Sequence, residues 1–332
     1  MFKPSQLLFA FTLLLGVAIT VSSSSWFIAW MGLELNLLSF IPLLSSTENR
    51  YSSESTLKYF LIQALGSSVI LASAPCSLFI QNLSYLVILV ALLLKVGAAP
   101  LHYWFPPVMQ GVSWPQGITL MTIQKIAPIT MMSFLMSDLT MLVIMVSSIM
   151  SGVVGALGGL NQTFTRKIIS YSSINHMGWM LAAMLFNEQM WTIYFISYAV
   201  VASSVVFILH SNQIFHFNQL STMNLYSKPL KLNLFLSLLS MGGMPPLLGF
   251  LPKWMVMQEF IFSGASILWL SALLFSALLT LFYYLRIAIS SMVFSSPKTK
   301  MSLIPTSSNY LLMAAAINFS PLLYPFILLL IY

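Results

Sequence analysis

Glu34, Lys95, Lys125 and Lys253 interrupt long apolar stretches of this sequence. At a bilayer centre each such charge costs about 2.5 to 3.5 kcal/mol on the lowest insertion scales. One lysine can be tolerated by snorkelling, but four charges near the middle of helices need partners or water. The chemistry open to them is proton exchange. A lysine in low dielectric sheds its proton more readily, and a nearby carboxylate restores it. A Glu–Lys pair about 4 Å apart at an effective dielectric near 20 is worth roughly 4 kcal/mol, a change of about a thousandfold in proton affinity. Opening or closing one pair can therefore load or unload a proton. Glu34 and Lys95 are the expected switching pair, Lys125 the mid-membrane holder, and Lys253 the residue that passes the proton onward. His102 and His176 are further candidates, since histidine as a residue type titrates near neutral pH, and each is equally a packing histidine. Asn36, Gln124 and Asn175 could order water or hydrogen-bond neighbouring helices. The competing view is that the charges form ion pairs that only hold helices together.

The elements that must position these residues follow from composition. Of 332 residues, 59% are hydrophobic and 6% charged, against about 25% charged in soluble domains. The solvent for this surface is lipid, and there every backbone polar group must be satisfied internally. Long apolar runs, rather than alternation with a period of two, predict a helical bundle and not a barrel. Charges and turn residues delimit about 11 transmembrane helices, at roughly 4–21, 25–44, 54–73, 83–110, 116–137, 139–160, 166–186, 188–212, 231–263, 267–294 and 309–332. The N-terminal run lacks transit-peptide character and is expected to be a retained first helix. Cys76, the single cysteine, cannot form an intrachain disulfide. With no Cys or His cluster near it, no metal or redox centre is expected.

Basic residues supply an internal test of that count. With the N-terminus inside, Lys3, Arg50, Lys58, Arg166, Lys167, Lys228, Lys231, Arg286, Lys298 and Lys300 all fall at or near inside ends, as the positive-inside rule requires. The net charge of +7 therefore reflects orientation, and no nucleic-acid partner is implied. Asp138 and Glu188 fall at outside ends and are expected to be solvated. Two helices are too long and contain breakers, reading KVGAAPLHYWFPPVMQG from Lys95 and MGGMPPLLGFLPKWMVMQE from Met241. Gly97, Pro100, Leu101 and Pro106 align with Gly243, Pro246, Leu247 and Pro252. Each broken helix is fourth in a set of five, and because five is odd the second set must enter from the opposite face. The expectation is two inverted five-helix repeats, 1–137 and 138–296, plus a C-terminal helix within 297–332. Paired broken helices point to an ion path, although prolines that only kink packing helices would leave the same residues.

WMGLELNLLSFIPLL around Glu34, LKVGAAPLHYWFP around Lys95, TIQKIAP around Lys125, GGLNQTFTRKIISYSSINHMGWM, and GGMPPLLGFLPKW reaching past Lys253 together resemble the antiporter-like membrane subunits of respiratory complex I, of the mitochondrial chain 2 kind. The resemblance runs through nearly the whole chain. It implies a proton-translocating module whose glutamate and first lysine are coupled and whose later lysines continue a hydrophilic axis. It also implies that NADH oxidation and quinone reduction, with their FMN, iron–sulfur clusters and ubiquinone, belong to other subunits, and that this chain holds no cofactor. The implied partners are the other membrane-arm subunits, especially antiporter-like subunit 4 and the small membrane subunits, with phospholipids including cardiolipin at matrix-side basic residues. The implied setting is the mitochondrial inner membrane, with the N-terminus in the matrix and an organellar gene. Relative to bacterial members, three N-terminal helices are expected to be missing. The alternatives are an Mrp-type cation/proton antiporter subunit without redox coupling, a structural membrane subunit, and a quinone-binding subunit in its own right.

Overall fold

The computed structural model describes residues 4–45, 49–222 and 228–293. Within them the regular structure is helical, with one isolated antiparallel bridge, Phe164 to His216. The chain divides into two compact units, Met1–Ser151 and Gly152–Tyr332. The first unit contains α1 (Pro4–Ser22), α2 (Trp26–Leu44), α3 (Arg50–Cys76), α4 (Gln81–Val96), α5 (Phe105–Gly111), α6 (Trp114–Met121) and α7 (Ile123–Ser133). Helix α8 (Asp138–Leu160) runs across the boundary. The second unit continues with α9 (Thr165–Phe186), α10 (Glu188–Ser211), α11 (Phe217–Thr222), α12 (Lys228–Gly242), α13 (Phe250–Phe262) and α14 (Ile267–Val293). The C-terminal helix expected over 309–332, together with Lys3, Lys298 and Lys300, lies outside the described residues.

Six helices among the described residues are long and apolar enough to cross a membrane: α1, α2, α3, α8, α10 and α14. Helix α9 is long as well, but it buries Ser170, Ser172, Ser173, Asn175 and His176 together with its apolar residues. Such a helix is polar because protein surrounds it on every side. Local signals fix several helix starts. The Ser25 hydroxyl accepts from the Ile28 N–H at 3.4 Å, and Ser113 and Gln116 form a capping box with Pro115 in the first turn. Asp138 and Glu188, at the starts of α8 and α10, are exposed as expected.

The long helices expected at 83–110 and 231–263 are each divided where their glycines and prolines lie, into α4 and α5 and into α12 and α13. The helix expected at 116–137 is divided too, into α6 and α7 at Thr122. Two local causes act there. The Thr122 hydroxyl bonds back to the Ile118 carbonyl at 2.7 Å, and Pro128 has no N–H to offer the Gln124 carbonyl. The short α11 answers to no apolar period in the sequence.

Close crossings are built on glycine in both units. A Cβ on Gly16 of α1 would stand 2.9 Å from the Asn36 backbone nitrogen and 2.9 Å from the Gly32 carbonyl oxygen of α2. A Cβ on Gly155 of α8 would stand 2.5 Å from the Asn175 nitrogen and 2.8 Å from the Tyr171 carbonyl oxygen of α9. The two contacts use the same atoms at a constant shift of 139 positions along the chain, taking 16, 32 and 36 to 155, 171 and 175.

Because backbone cannot yield as a side chain does, Gly155→Leu forces α8 off α9 at a cost of about 1 to 3 kcal/mol or more. Quantitative immunoblotting of membranes carrying the protein should show it depleted in Gly155→Leu and retained in Gly242→Ala, where the nearest atom to an added Cβ is 3.6 Å away. Equal abundance of the two variants would contradict the crossing.

Candidate functional site

In the first unit the site is organised by the end of α4. Gly97 adopts φ +76°, a left-handed conformation that favours glycine. Its N–H reaches the Leu94 carbonyl at 3.2 Å while the Ala98 N–H reaches Leu93 at 3.1 Å, closing the helix. Stopping the helix orphans further carbonyls, and side chains take them up. The Trp104 indole N–H donates to the Leu94 oxygen at 2.9 Å and the Gln63 amide to the Lys95 oxygen at 3.1 Å. Lys95 itself is buried in this last turn. Gly66 of α3 leaves it room, since a Cβ there would lie 3.0 Å from the Lys95 Cγ.

Lys125 is the third residue of α7 and is buried, its Nζ 5.0 Å from the centroid of the Phe105 ring. Lys95 and Lys125 line one cavity with Tyr59, Gln63, Trp104, Phe105 and Gln124, which leaves about 10 Å³ for the centre of a water molecule. That is about the space one water needs. A hydrogen-bond chain starts from its lining: the Tyr59 hydroxyl donates to Gln124 Oε1 at 3.2 Å, and Gln124 Nε2 donates to Asn36 Oδ1 at 2.8 Å.

Glu34 stands in the middle of α2, half-buried, with Oε2 enclosed and unmatched by a hydrogen bond. Among the described residues the ion pair within 4 Å is the exposed Lys58–Glu54 pair at 2.6 Å. Glu34 and Lys95 thus form no ion pair within 4 Å. His102 lies between α4 and α5, buried against the Tyr103 ring at 4.4 Å. It does not line the cavity.

The second unit repeats the break with a different charge. Gly243 has φ +83°, its N–H bonds to Ser240 at 3.0 Å, and the Met244 N–H bonds to Leu239 at 3.2 Å. Here the lysine follows the break. Lys253, in the first turn of α13, donates to the Gly242 carbonyl at 2.8 Å and lies 6.0 Å from the Trp179 ring centroid. A Cβ on Gly243 would approach its Cδ to 2.9 Å, so glycine serves both the turn and the lysine's path. His176 Nδ1 is 3.0 Å from the Tyr194 hydroxyl. The two line a second cavity, again with about 10 Å³ for a water centre, together with Tyr198, Ser240, Gly249 and Pro252 at the break. Asn175 donates to the Gly152 carbonyl at 2.9 Å and to the Ser276 hydroxyl at 3.0 Å.

The three lysines are therefore at helix ends, not at helix middles as expected from the sequence. The reason is electrostatic for two of them: Lys95 in the last turn of α4, and Lys253 reaching the last turn of α12, both meet the negative end of a helix dipole. Lys125 begins α7, an end that does not favour a cation, and the Phe105 ring face is one of its contacts. Tyr59, Gln63, Tyr194 and Tyr198 escaped the sequence analysis because nothing in their local pattern marks them. Trp104 lay inside a quoted motif and was passed over.

Two segments, 23–80 and 76–280, match the family described as NADH:quinone oxidoreductase/Mrp antiporter, TM. NADH-ubiquinone oxidoreductase chain 2 of Anopheles gambiae is 45% identical over 91% of this chain and 90% of its own length. The same subunit of Aedes aegypti is 43% identical over 99% and 98%. The chain belongs to the NADH-ubiquinone oxidoreductase chain 2 family. Glu34, Lys95, Lys125 and Lys253 fall within its matched segments. Solved structures share the chain 2 fold: a chain of respiratory complex I from Thermus thermophilus superimposes with TM-score 0.85 at 24% identity, over 97% of this chain and 79% of that one. A chain of the Mrp complex from Dietzia sp. superimposes with TM-score 0.79 at 16% identity, over 91% and 62%.

Burial of the three lysines in this chain 2 member predicts their reactivity. With a membrane-permeant acylating reagent on native membranes, mass spectrometry should find Lys58, half-exposed in its pair, modified at least tenfold faster than Lys95, Lys125 or Lys253. Equal rates would contradict the buried positions.

Proposed function

We propose that this chain is a proton-translocating core membrane subunit of respiratory complex I (NADH:ubiquinone oxidoreductase), acting in the mitochondrial inner membrane with its N-terminus in the matrix. Electron transfer from NADH to ubiquinone belongs to other subunits, and this chain holds neither a redox centre nor a cofactor. Its partners are the other membrane-arm subunits, antiporter-like subunit 4 and the small membrane subunits among them, and phospholipids including cardiolipin. The gene is organellar.

The observation that carries this reading is the shared cavity of Lys95 and Lys125 at the end of a broken helix. Two ammonium groups on one small polar cavity repel if both are charged, so a proton on one favours its absence from the other. Glu34 biases Lys95, and their arrangement without an ion pair is one of the two states that such a switch needs. Lys125 takes the proton next. In the second unit Lys253, with its carbonyl anchor at the break and with His176 and Tyr194 at the neighbouring cavity, continues the relay. His102 is a further candidate at the first break.

About 11 transmembrane helices in two inverted five-helix repeats, 1–137 and 138–296, followed by a C-terminal helix in 297–332, form the scaffold of this mechanism. The support is threefold. Gly97 and Gly243 end helices with the same hydrogen bonds, Gly16 and Gly155 meet Asn36 and Asn175 through the same atoms, and each asparagine bonds a polar side chain late in its unit, Gln124 or Ser276. An Mrp-type antiporter subunit shares the fold, but the 45% and 43% identical relatives are complex I chains.

Lys125→Met should lower the number of protons pumped per NADH oxidised in coupled membranes, with assembly retained. An unchanged ratio would leave the chain a structural link. Glu34→Gln combined with Lys95→Met separates the switch from a mere structural pair. The double variant should lose pumping, whereas a pair that only holds helices together would leave the ratio intact once assembled.

A further inference from the structure

The cavity between Lys95 and Lys125 raises a question of carriers, because a proton crosses such a space only through groups that can accept and release one in the same step. Of the lining residues, Gln63 and Gln124 are amides that hydrogen-bond without relaying, and the Trp104 indole N–H is a donor already committed to the Leu94 oxygen. Phe105, Val96 and Leu120 are apolar. That leaves the Tyr59 hydroxyl and about one water.

Tyr59 is fixed from two sides. Its ring is buried, edge-on to Phe40 at 5.3 Å and 5.9 Å from Trp104 between centroids. Its hydroxyl proton points to Gln124 Oε1 at 3.2 Å, and Gln124 is held in turn by Asn36 at 2.8 Å. With its O–H directed at an amide oxygen, which cannot carry the proton further, the hydroxyl still has lone pairs to accept with.

From this geometry we propose that Tyr59 is a proton-relay residue between Lys95 and Lys125, and that its bond to Gln124 is the resting, non-conducting position of the hydroxyl. The inference rests on the relay proposed above. In the transfer an N–H bond breaks at Lys95 and the proton passes, directly or through the water, to the Tyr59 oxygen. The original O–H swings from Gln124 toward the cavity and breaks, and an N–H bond forms at Lys125. Tyr59 ends with one O–H as it began, and a rotation returns it to Gln124. The 3.2 Å distance is long for an O–H···O bond, as suits a hydroxyl that must leave its acceptor in each cycle.

The test is Tyr59→Phe in the assembled enzyme in coupled membranes, beside Lys125→Met. Phenylalanine keeps the ring contacts and removes only the hydroxyl. Turnover coupled to pumping should fall about a hundredfold, the low side of what a positioned proton carrier contributes. The solvent deuterium isotope effect on that turnover should rise, with the amount of assembled enzyme unchanged. Gln124→Leu keeps the hydroxyl but removes its resting acceptor. It should lower protons pumped per NADH, and it carries the test if Tyr59→Phe fails to assemble. If Lys125→Met abolishes pumping while both variants pump normally, the relay stands and Tyr59 is no part of it. If all three pump normally, the relay fails and this inference with it. A loss in Tyr59→Phe or Gln124→Leu that tracks reduced assembly, with the isotope effect unmoved, would assign the pair a packing role and overturn the proposal.

Discussion

A cation enclosed by membrane helices needs an oxygen or a π face within reach, and the backbone of an intact helix offers no oxygen, because its carbonyls are spent on its own ladder. The structure meets that constraint by stopping helices. Where α12 ends, the Gly242 carbonyl is turned to the Lys253 ammonium. Where α4 ends, the dipole's negative pole lies under Lys95, and the Lys95 and Leu94 carbonyls are bound by Gln63 and Trp104. Lys125 faces the Phe105 ring and the cavity. The breaks, the left-handed glycines that permit them and the polar side chains around them all follow from keeping three amines inside an apolar bundle.

The two units solve this in parallel but are not copies. Each carries a glycine-terminated helix, a glycine-to-asparagine crossing and an asparagine bond to a late helix. The charges differ. The lysine precedes the break in the first unit and follows it in the second, and the position that corresponds to Glu34 by the 139-residue shift is Ser173. A hydrogen-bonded histidine and tyrosine occupy the second cavity where a lysine pair occupies the first. Common backbone geometry with divergent side chains is what one expects if the backbone breaks are the conserved necessity and the titrating groups set the direction of transfer.

Much of this was legible in the sequence, for a physical reason: glycine and proline write backbone breaks directly into the residue order, and charges in apolar runs announce themselves. The two divided helices were foreseen at Gly97 and Gly243, and Glu34, Lys95, Lys125 and Lys253 were picked out as the unusual charges. The division at Thr122 was not foreseen, because one threonine and a proline six residues on are a weak signal compared with a Gly–Pro cluster. Lys125 came out at a helix end for that reason, whereas Lys95 and Lys253 stand at the ends that the breaks at Gly97 and Gly243 create. Tyr59 and Gln63 were invisible because they act across helices: their partners are 65 and 32 residues away, distances over which no periodicity speaks. The crossing of Gly16 on Asn36 was likewise unreadable until the helices were packed.

The central claim is that one proton route runs by way of both Lys125 and Lys253. The most direct test compares protons pumped per NADH in Lys125→Met, Lys253→Met and the double variant, at matched assembly and NADH oxidation. A single route makes the two losses non-additive, so that the double variant pumps no less than either single one. Losses that add in the double variant, or a normal ratio in either single variant, would contradict a single route through both residues.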